Sequence, residues 1–318
     1  MTTTVYFATN RVISGAAEDY RNYGNGIVAP TDPTAVTYGT AFVKDANLTA
    51  DTVGAITSIQ DISKGHFSAG ATADLSKPGR SLLVFLHGFD NSFENAITRA
   101  AFNQQWFQQS KIPAANFTVV AFSWPSLGKL ITFPLLTEDY LRDQTNAGQS
   151  GAHIMRFLAN LEPIVKAARA SGQRVFLLAH SMGHYALQAA IESWFLHGQG
   201  AANLFDHAFL CAGDERYDSF GYPPPGRLSD LNRLAKHISI YYSTADAVLG
   251  LSGIINGIRR LGHEGPLNLH DAKLFPPAAY RMVDCSSFND YDRDFQGSHQ
   301  YYRRSPKART DIANAMGA

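Results

Sequence analysis

Only two cysteines, Cys211 and Cys285, occur in 318 residues. That is too few for a disulfide framework, and each ends an apolar run where a small buried hydrophobe suits. Net charge is missing too. The 27 lysines and arginines balance 27 aspartates and glutamates, so no global field draws the chain toward nucleic acid or an anionic membrane, and no nucleic-acid partner is expected. The one local excess of positive charge, "YYRRSPKAR" near the C-terminus, reads as a solvated helix face. No run of about 18 apolar residues exists to span a bilayer, and "MTTTVYFATNRV" has neither the basic start nor the continuous apolar core of a signal peptide. These features predict a cytoplasmic protein. His180 and His184 have the spacing of metal ligands, but no third ligand accompanies them at a matching distance, so no metal is expected. Internal repeats and low-complexity blocks are likewise missing.

What is present is a 45% hydrophobic chain, long enough for one large α/β domain. Residues 1–75 carry strand-like pieces, "TVYFAT", "TYGTAFV" and "GAITSI", separated by turn chemistry, and read as a β-rich extension packed on a catalytic core at 81–318. From Ser81 onward, short β-branched or aromatic runs alternate with longer periodic segments, the pattern of a mostly parallel sheet flanked by helices. The runs are "SLLVFLHG", "FTVVAFSW", "QRVFLLAH", "HAFLCAG", "HISIYYS" and "AYRMVDC". Helices are predicted over "SFENAITRAAFNQQWFQQ", "GHYALQAAIESWFL", "LSDLNRLAKH" and "LGLSGIINGIRRL". A further long one, from about Glu138 to Ala170, holds Pro163 and is therefore kinked or two helices. Segments 124–140 and 213–227 follow strands, which puts them at the carboxyl edge of the sheet, where open α/β folds bind ligands. Neither is long enough for a separate lid domain. Their aromatics Trp124, Phe133, Tyr217 and Tyr222 are candidate pocket walls, with ordinary packing as the alternative.

Within "LLAHSMGHYA", Ser181 stands between an apolar strand and an amphipathic helix, with small residues at Ala179 and Gly183. A strand, sharp turn, helix unit of this kind holds a serine hydroxyl exposed at a strained bend. Upstream, "FLHGFDNSFENA" turns tightly after a strand, so the Phe89 amide can face the same space as the Met182 amide. Two fixed donors there would stabilise the oxyanion formed when a carbonyl is attacked. His87 reads as a loop-orienting residue, and His180 and His184 as packing or capping ones.

A serine nucleophile needs an imidazole, and the imidazole needs a carboxylate to set its tautomer, in the chain order Ser, acid, His for this kind of sheet. Asp246, in "STADAV" after the penultimate strand, is the favoured acid and doubles as a helix N-cap; Asp214 is the reserve. His299, in "FQGSHQYYRR", lies beyond the last strand, whereas His263 and His270 precede it, so His299 is the favoured base.

Together "FLHGFDNSFENAITRAAF", "FSWPS", "LLAHSMGH", "YYSTADAVL" and "GSHQYY", with "VYFATNR" and "YGTAFV" at the start, resemble the α/β-hydrolase superfamily. Within it the chain resembles the bacterial esterase- or lipase-like family known as domain of unknown function 900, from about Val5 to about Tyr302. The resemblance implies a central mostly parallel sheet, the set Ser181, Asp246 and His299, and no metal or organic cofactor. It departs at Asp90 and His184, where that family often carries asparagine. The expected activity is cleavage of a small-molecule carboxylic ester through an acyl-enzyme. Two alternatives are acyl transfer or peroxide use on the same residues, and a hydrolase scaffold retained for binding alone.

Overall fold

The computed structural model describes residues 2–44, 54–127, 136–221, 227–289 and 294–318. The strands are Thr2–Thr9 (β1), Arg11–Ile13 (β2), Tyr23–Ile27 (β3), Thr37–Lys44 (β4), Ala55–Lys64 (β5) and Ser81–Leu86 (β6). Five more follow: Phe117–Ser123 (β7), Val175–His180 (β8), Phe205–Cys211 (β9), Ala235–Tyr242 (β10) and Tyr280–Asp284 (β11). The helices are Ala69–Leu75 (α1), Phe93–Gln108 (α2), Leu136–Gln149 (α3), Gly151–Ala170 (α4) and Gly183–Leu196 (α5). They continue with Ala247–Asn256 (α6), Leu261–Glu264 (α7), Tyr301–Arg304 (α8) and Pro306–Gly317 (α9).

Nine strands form one sheet in the order β11-β10-β9-β8-β6-β7-β1-β4-β5. Pairing is parallel from β11 through β1 and antiparallel for β1 with β4 and β4 with β5. Alternate side chains of the central strands feed two cores. Leu82, Val84, Leu177 and Ala179 face the layer of α4 and α5, while Leu83, Phe85, Phe176 and Leu178 face that of α2 and α9. Burial on both faces explains why these runs are apolar without alternation.

From β6 the chain steps one way to β7 and then back across to β8, so the winding reverses between β6 and β8. The crevice beyond their carboxyl ends is the topological switch point, where the βα loops on either side diverge and leave room for a ligand. The turns carrying Phe89 and Ser181 both leave from there.

Four expectations differ in detail. The N-terminal strands are not a layer packed on the core. β1 lies inside the sheet beside β7 because Val5 and Phe7 fill one core and Tyr6 and Ala8 the other. The long helical segment is two helices, as one of the two expectations had it, but it divides at Ser150, between α3 and α4, and Pro163 sits within α4. "LSDLNRLAKH" is a 3₁₀ turn over Arg227–Arg233 running into β10; Leu228, Leu231 and Leu234, all fully buried, have the three-residue spacing that a 3₁₀ helix places on one edge. Finally, "YYRRSPKAR" is no solvated face at its start, where Tyr301, Tyr302 and Arg303 are buried. The Tyr301 hydroxyl donates to Tyr241 O at 2.9 Å and accepts from Ala212 N at 3.1 Å. Cys211 and Cys285 are both buried free thiols. Among the described residues no helix is long and apolar enough to cross a membrane.

Candidate active site

Ser181 follows β8 directly and has φ of 55°, a left-handed conformation that costs a non-glycine residue about 1–2 kcal/mol. The strain is held by bonds on both sides. Ser181 N donates to Cys211 O at 3.2 Å, while Ser181 O accepts from His184 N and Asp214 N, each at 3.1 Å, and from His184 Nδ1 at 2.9 Å. Two glycines permit the bend. A Cβ on Gly183 would lie 2.7 Å from the carbonyl oxygens of Leu86 and His87, and one on Gly88 would lie 2.6 Å from Ser181 Cβ.

The Met182 and Phe89 amides make no hydrogen bond to any described residue, although Met182 is fully buried. Buried backbone donors are nearly always paired, which makes the Met182 amide unusual among the described residues, while Phe89 is half-buried. Met182 also caps α5, whose dipole adds positive potential at the same spot.

Asp246 and His299 meet. His299 Nδ1 donates to Asp246 Oδ2 at 2.7 Å, and Asp246 Oδ1 accepts from Leu249 N at 3.0 Å as the N-cap of α6. One carboxylate thus serves as cap and as histidine partner. Ser298 Oγ accepts from Ala247 N at 3.1 Å, and Asn289 Nδ2 donates to Ser298 O at 2.8 Å, tying the short 3₁₀ turn of His299 to the start of α6. A ring that carries its proton on Nδ1 has a lone pair at Nε2, a buried atom bonded to no described residue. Ser181 and His299 line one pocket of about 420 Å³.

Three other histidines near the site have other partners. His180 Nε2 donates to His299 O at 3.1 Å. His87 Nδ1 donates to Gly88 O at 2.9 Å, and burial lowers its pKa to about 3. Burial lowers that of His184 to about 4. Burial likewise holds His180 well below the usual histidine range, so all three remain neutral near pH 7. The reserve acid Asp214 is engaged elsewhere: its carboxylate accepts from Arg260 Nε at 2.8 Å, Tyr140 OH at 2.9 Å and Ser252 Oγ at 2.5 Å.

The aromatics expected to form the pocket do not line it among the described residues. Trp124 packs instead on the loop that carries Phe89, stacked on His87 at 4.9 Å and donating to His87 O at 2.8 Å. Tyr217 packs under Arg259 at 4.2 Å. Phe133 and Tyr222 lie outside the described residues. Apolar lining comes instead from Phe89, Tyr140, Val248, Leu251 and Ile255. Nothing in their sequence spacing marks these out, apart from the shared face of α6.

Arg11 was missed by the sequence reading. Fully buried, it donates from Nη2 to Asn91 O and Trp124 O at 2.7 Å, from Nη1 to Gly24 O and Ser126 O at 3.1 and 3.2 Å, and from Nε to Ser123 Oγ at 3.0 Å. It binds the loop carrying Phe89 to the end of β7. A charge set straight after an apolar strand, in "FATNR", is the only trace of this in the letters. Arg11→Met would strand several buried acceptors at once, and is expected to cost about 3–5 kcal/mol of stability, read as a lowered denaturant midpoint. An unchanged midpoint would show that the carbonyls find other donors.

Asp90, next to Phe89, also has positive φ, 60°, and lines the pocket. Burial, then repulsion from Asp143 and Asp139, raises its pKa from 3.8 to about 7. The folded state therefore keeps a proton that the unfolded chain loses near pH 4, and stability falls as pH rises from there to about 7. The same ionisation places negative charge beside the Phe89 amide, in the pocket that Ser181 lines. Above pH 7 any reaction through an oxyanion at this site should slow by on the order of 10-fold. Asp90→Asn is expected to abolish that decline and to stabilise the protein at neutral pH. An identical pH–rate profile in the variant would remove Asp90 from the account.

A model of the family described as "Alpha/beta hydrolase of unknown function (DUF900)" matches residues 65–314. Among solved structures, LAE6, an alpha/beta hydrolase enzyme from the metagenome of Lake Arreo, Spain, solved as a serine-to-alanine mutant, is 11% identical. The match covers 96% of this chain and 82% of that one at a TM-score of 0.35, too loose a superposition to carry argument. No curated protein matches the chain.

Proposed function

Since the chain belongs to the DUF900 family of alpha/beta hydrolases, we propose that it is a serine hydrolase cleaving carboxylic esters through an acyl-enzyme. The observation that carries this reading is the 2.7 Å contact between His299 Nδ1 and Asp246, which leaves Nε2 as the proton acceptor in the pocket that Ser181 lines. Ser181 Oγ attacks the ester carbonyl as His299 Nε2 takes its proton. The amides of Met182 and Phe89 hold the oxyanion. Collapse of the tetrahedral intermediate expels the alcohol, which receives the proton from His299, and a water activated by the same nitrogen then releases the acid.

The test is a fluorophosphonate probe followed by peptide mass spectrometry. One adduct is expected, on Ser181. Folded protein that takes no label would instead support a scaffold kept for binding. Product analysis with an added alcohol separates ester hydrolysis from acyl transfer, because the same residues serve both.

A further inference from the structure

α6 begins at the candidate active site. Its N-cap is Asp246, the partner of His299, so each turn of the helix carries the chain farther from that pair. The helix, "AVLGLSGIIN", is almost wholly apolar, yet only Leu249 and Ser252 in it are buried. A surface helix ordinarily hides its apolar stripe in the core. Here Val248, Leu251 and Ile255 stand at i, i+3 and i+7, which puts them on one face, and all three are half-buried and line the pocket of Ser181 and His299. Val248 and Leu251 belong to neither core among the described residues. An adjoining wall is fixed to the same helix. Tyr140 OH lies 3.1 Å from Ser252 Oγ and accepts from Asn256 Nδ2 at 3.0 Å, and the Tyr140 ring packs on that of Phe89 with centroids 5.8 Å apart. Both rings line the pocket, so apolar surface is continuous from the loop of Phe89 to α6.

We propose that the face of α6 carrying Val248, Leu251 and Ile255 is the track for an unbranched alkyl chain of about eight carbons on the ester, whose carbonyl lies at Ser181. This inference rests on the ester-hydrolase reading and names its substrate class. The length comes from the helix. From Val248 to Ile255 the axis rises about 10 Å, and a zigzag of about eight carbons with bonds of about 1.5 Å covers that distance. The end of the track is set by the end of the helix. Beyond Ile255 come Asn256 and then Gly257, which leaves the helix in a left-handed conformation with φ of 63°, so carbons added past that point gain no further apolar wall. The driving force is transfer of each CH2 from water onto side chains that no core covers.

The test is a chain-length series in two arms. One uses p-nitrophenyl esters from acetate to dodecanoate, which lengthen the acyl side, and the other alkyl acetates from ethyl to dodecyl, which lengthen the alcohol side. In at least one arm kcat/KM should rise about 2-fold for each added CH2, as half burial of the chain gives, carried in KM and levelling near eight carbons. The arm that rises shows which half of the ester lies on α6. Leu251→Trp, which fills the middle of the track, should lower the ratio of eight-carbon to two-carbon ester by about 10-fold. Ile255→Trp, farther along, should move the plateau to shorter chains without changing the ratio of four-carbon to two-carbon ester. A merely structural loss would lower short and long esters together and leave both ratios alone. Flat profiles in both arms, or an eight-to-two ratio unmoved in Leu251→Trp, would overturn the proposal. Because the hydrolase reading can fail separately, calorimetry on Ser181→Ala compares methyl hexanoate and hexyl acetate with methyl acetate. Tighter binding of either six-carbon ester supports the track whether or not any ester is cleaved, and equal binding of all three counts against it.

Discussion

Ser181→Ala is expected to lower ester hydrolysis by about 10⁴- to 10⁶-fold and to abolish fluorophosphonate labelling, with little change in the thermal midpoint. The size of the loss follows from the role proposed: without Oγ no acyl-enzyme forms, and what remains is the rate of water attack assisted by the Met182 and Phe89 amides. The unchanged stability follows from the local structure. Every hydrogen bond between Ser181 and the described residues runs through its backbone N and O, and alanine meets the same left-handed φ with the same Cβ. The measurement is a progress curve on a chromogenic ester beside a melting curve. A variant that stays folded and keeps more than about a tenth of wild-type activity would move the nucleophile elsewhere.

Asp246→Asn should be the next largest effect, a fall in kcat of about 10⁴-fold in a protein that still folds. The two carboxylate oxygens have separate partners. Asparagine keeps an oxygen to accept from Leu249 N, so α6 remains capped. Toward His299 it offers an amide N–H, which Nδ1 can meet only as an acceptor, and the ring proton then moves to Nε2. A ring protonated there cannot take the proton of Ser181. The informative pairing is kcat with KM: loss in kcat at near-constant KM is the expected pattern, and nuclear magnetic resonance of the ring nitrogens reads the tautomer directly. A variant within 10-fold of wild type would exclude Asp246 as the histidine's partner and return attention to Asp214, despite its engagement with Arg260.

The parts of this molecule readable from its letters are those whose cause is local. Short apolar runs and their bounding turns predict β6 through β11 closely, because burial on both faces of a parallel sheet leaves a dense hydrophobic signature within six or seven residues. The bend at Ser181 is visible because a strand and a helix that nearly touch demand small side chains at fixed offsets. Asp246 is visible as a cap for a similar reason. Where a helix breaks is less legible: Pro163 is the strong local signal, yet α3 and α4 divide thirteen residues earlier, where Gly151 packs against the backbone of Ala189.

Local hydrophobic period, turn chemistry and capping therefore suffice for the class of sheet and for the candidate serine, acid and base. Folding in three dimensions settled the rest: that β1 enters the sheet beside β7, that Arg11 gathers carbonyls from three distant segments, that Trp124 packs on the loop carrying Phe89, and that Arg303 lines the pocket. The physical reason is the same in each case. A strand's neighbour, or the cavity a side chain enters, is set by strand order and by contacts between segments up to a hundred residues or more apart, and no window of sequence contains both partners.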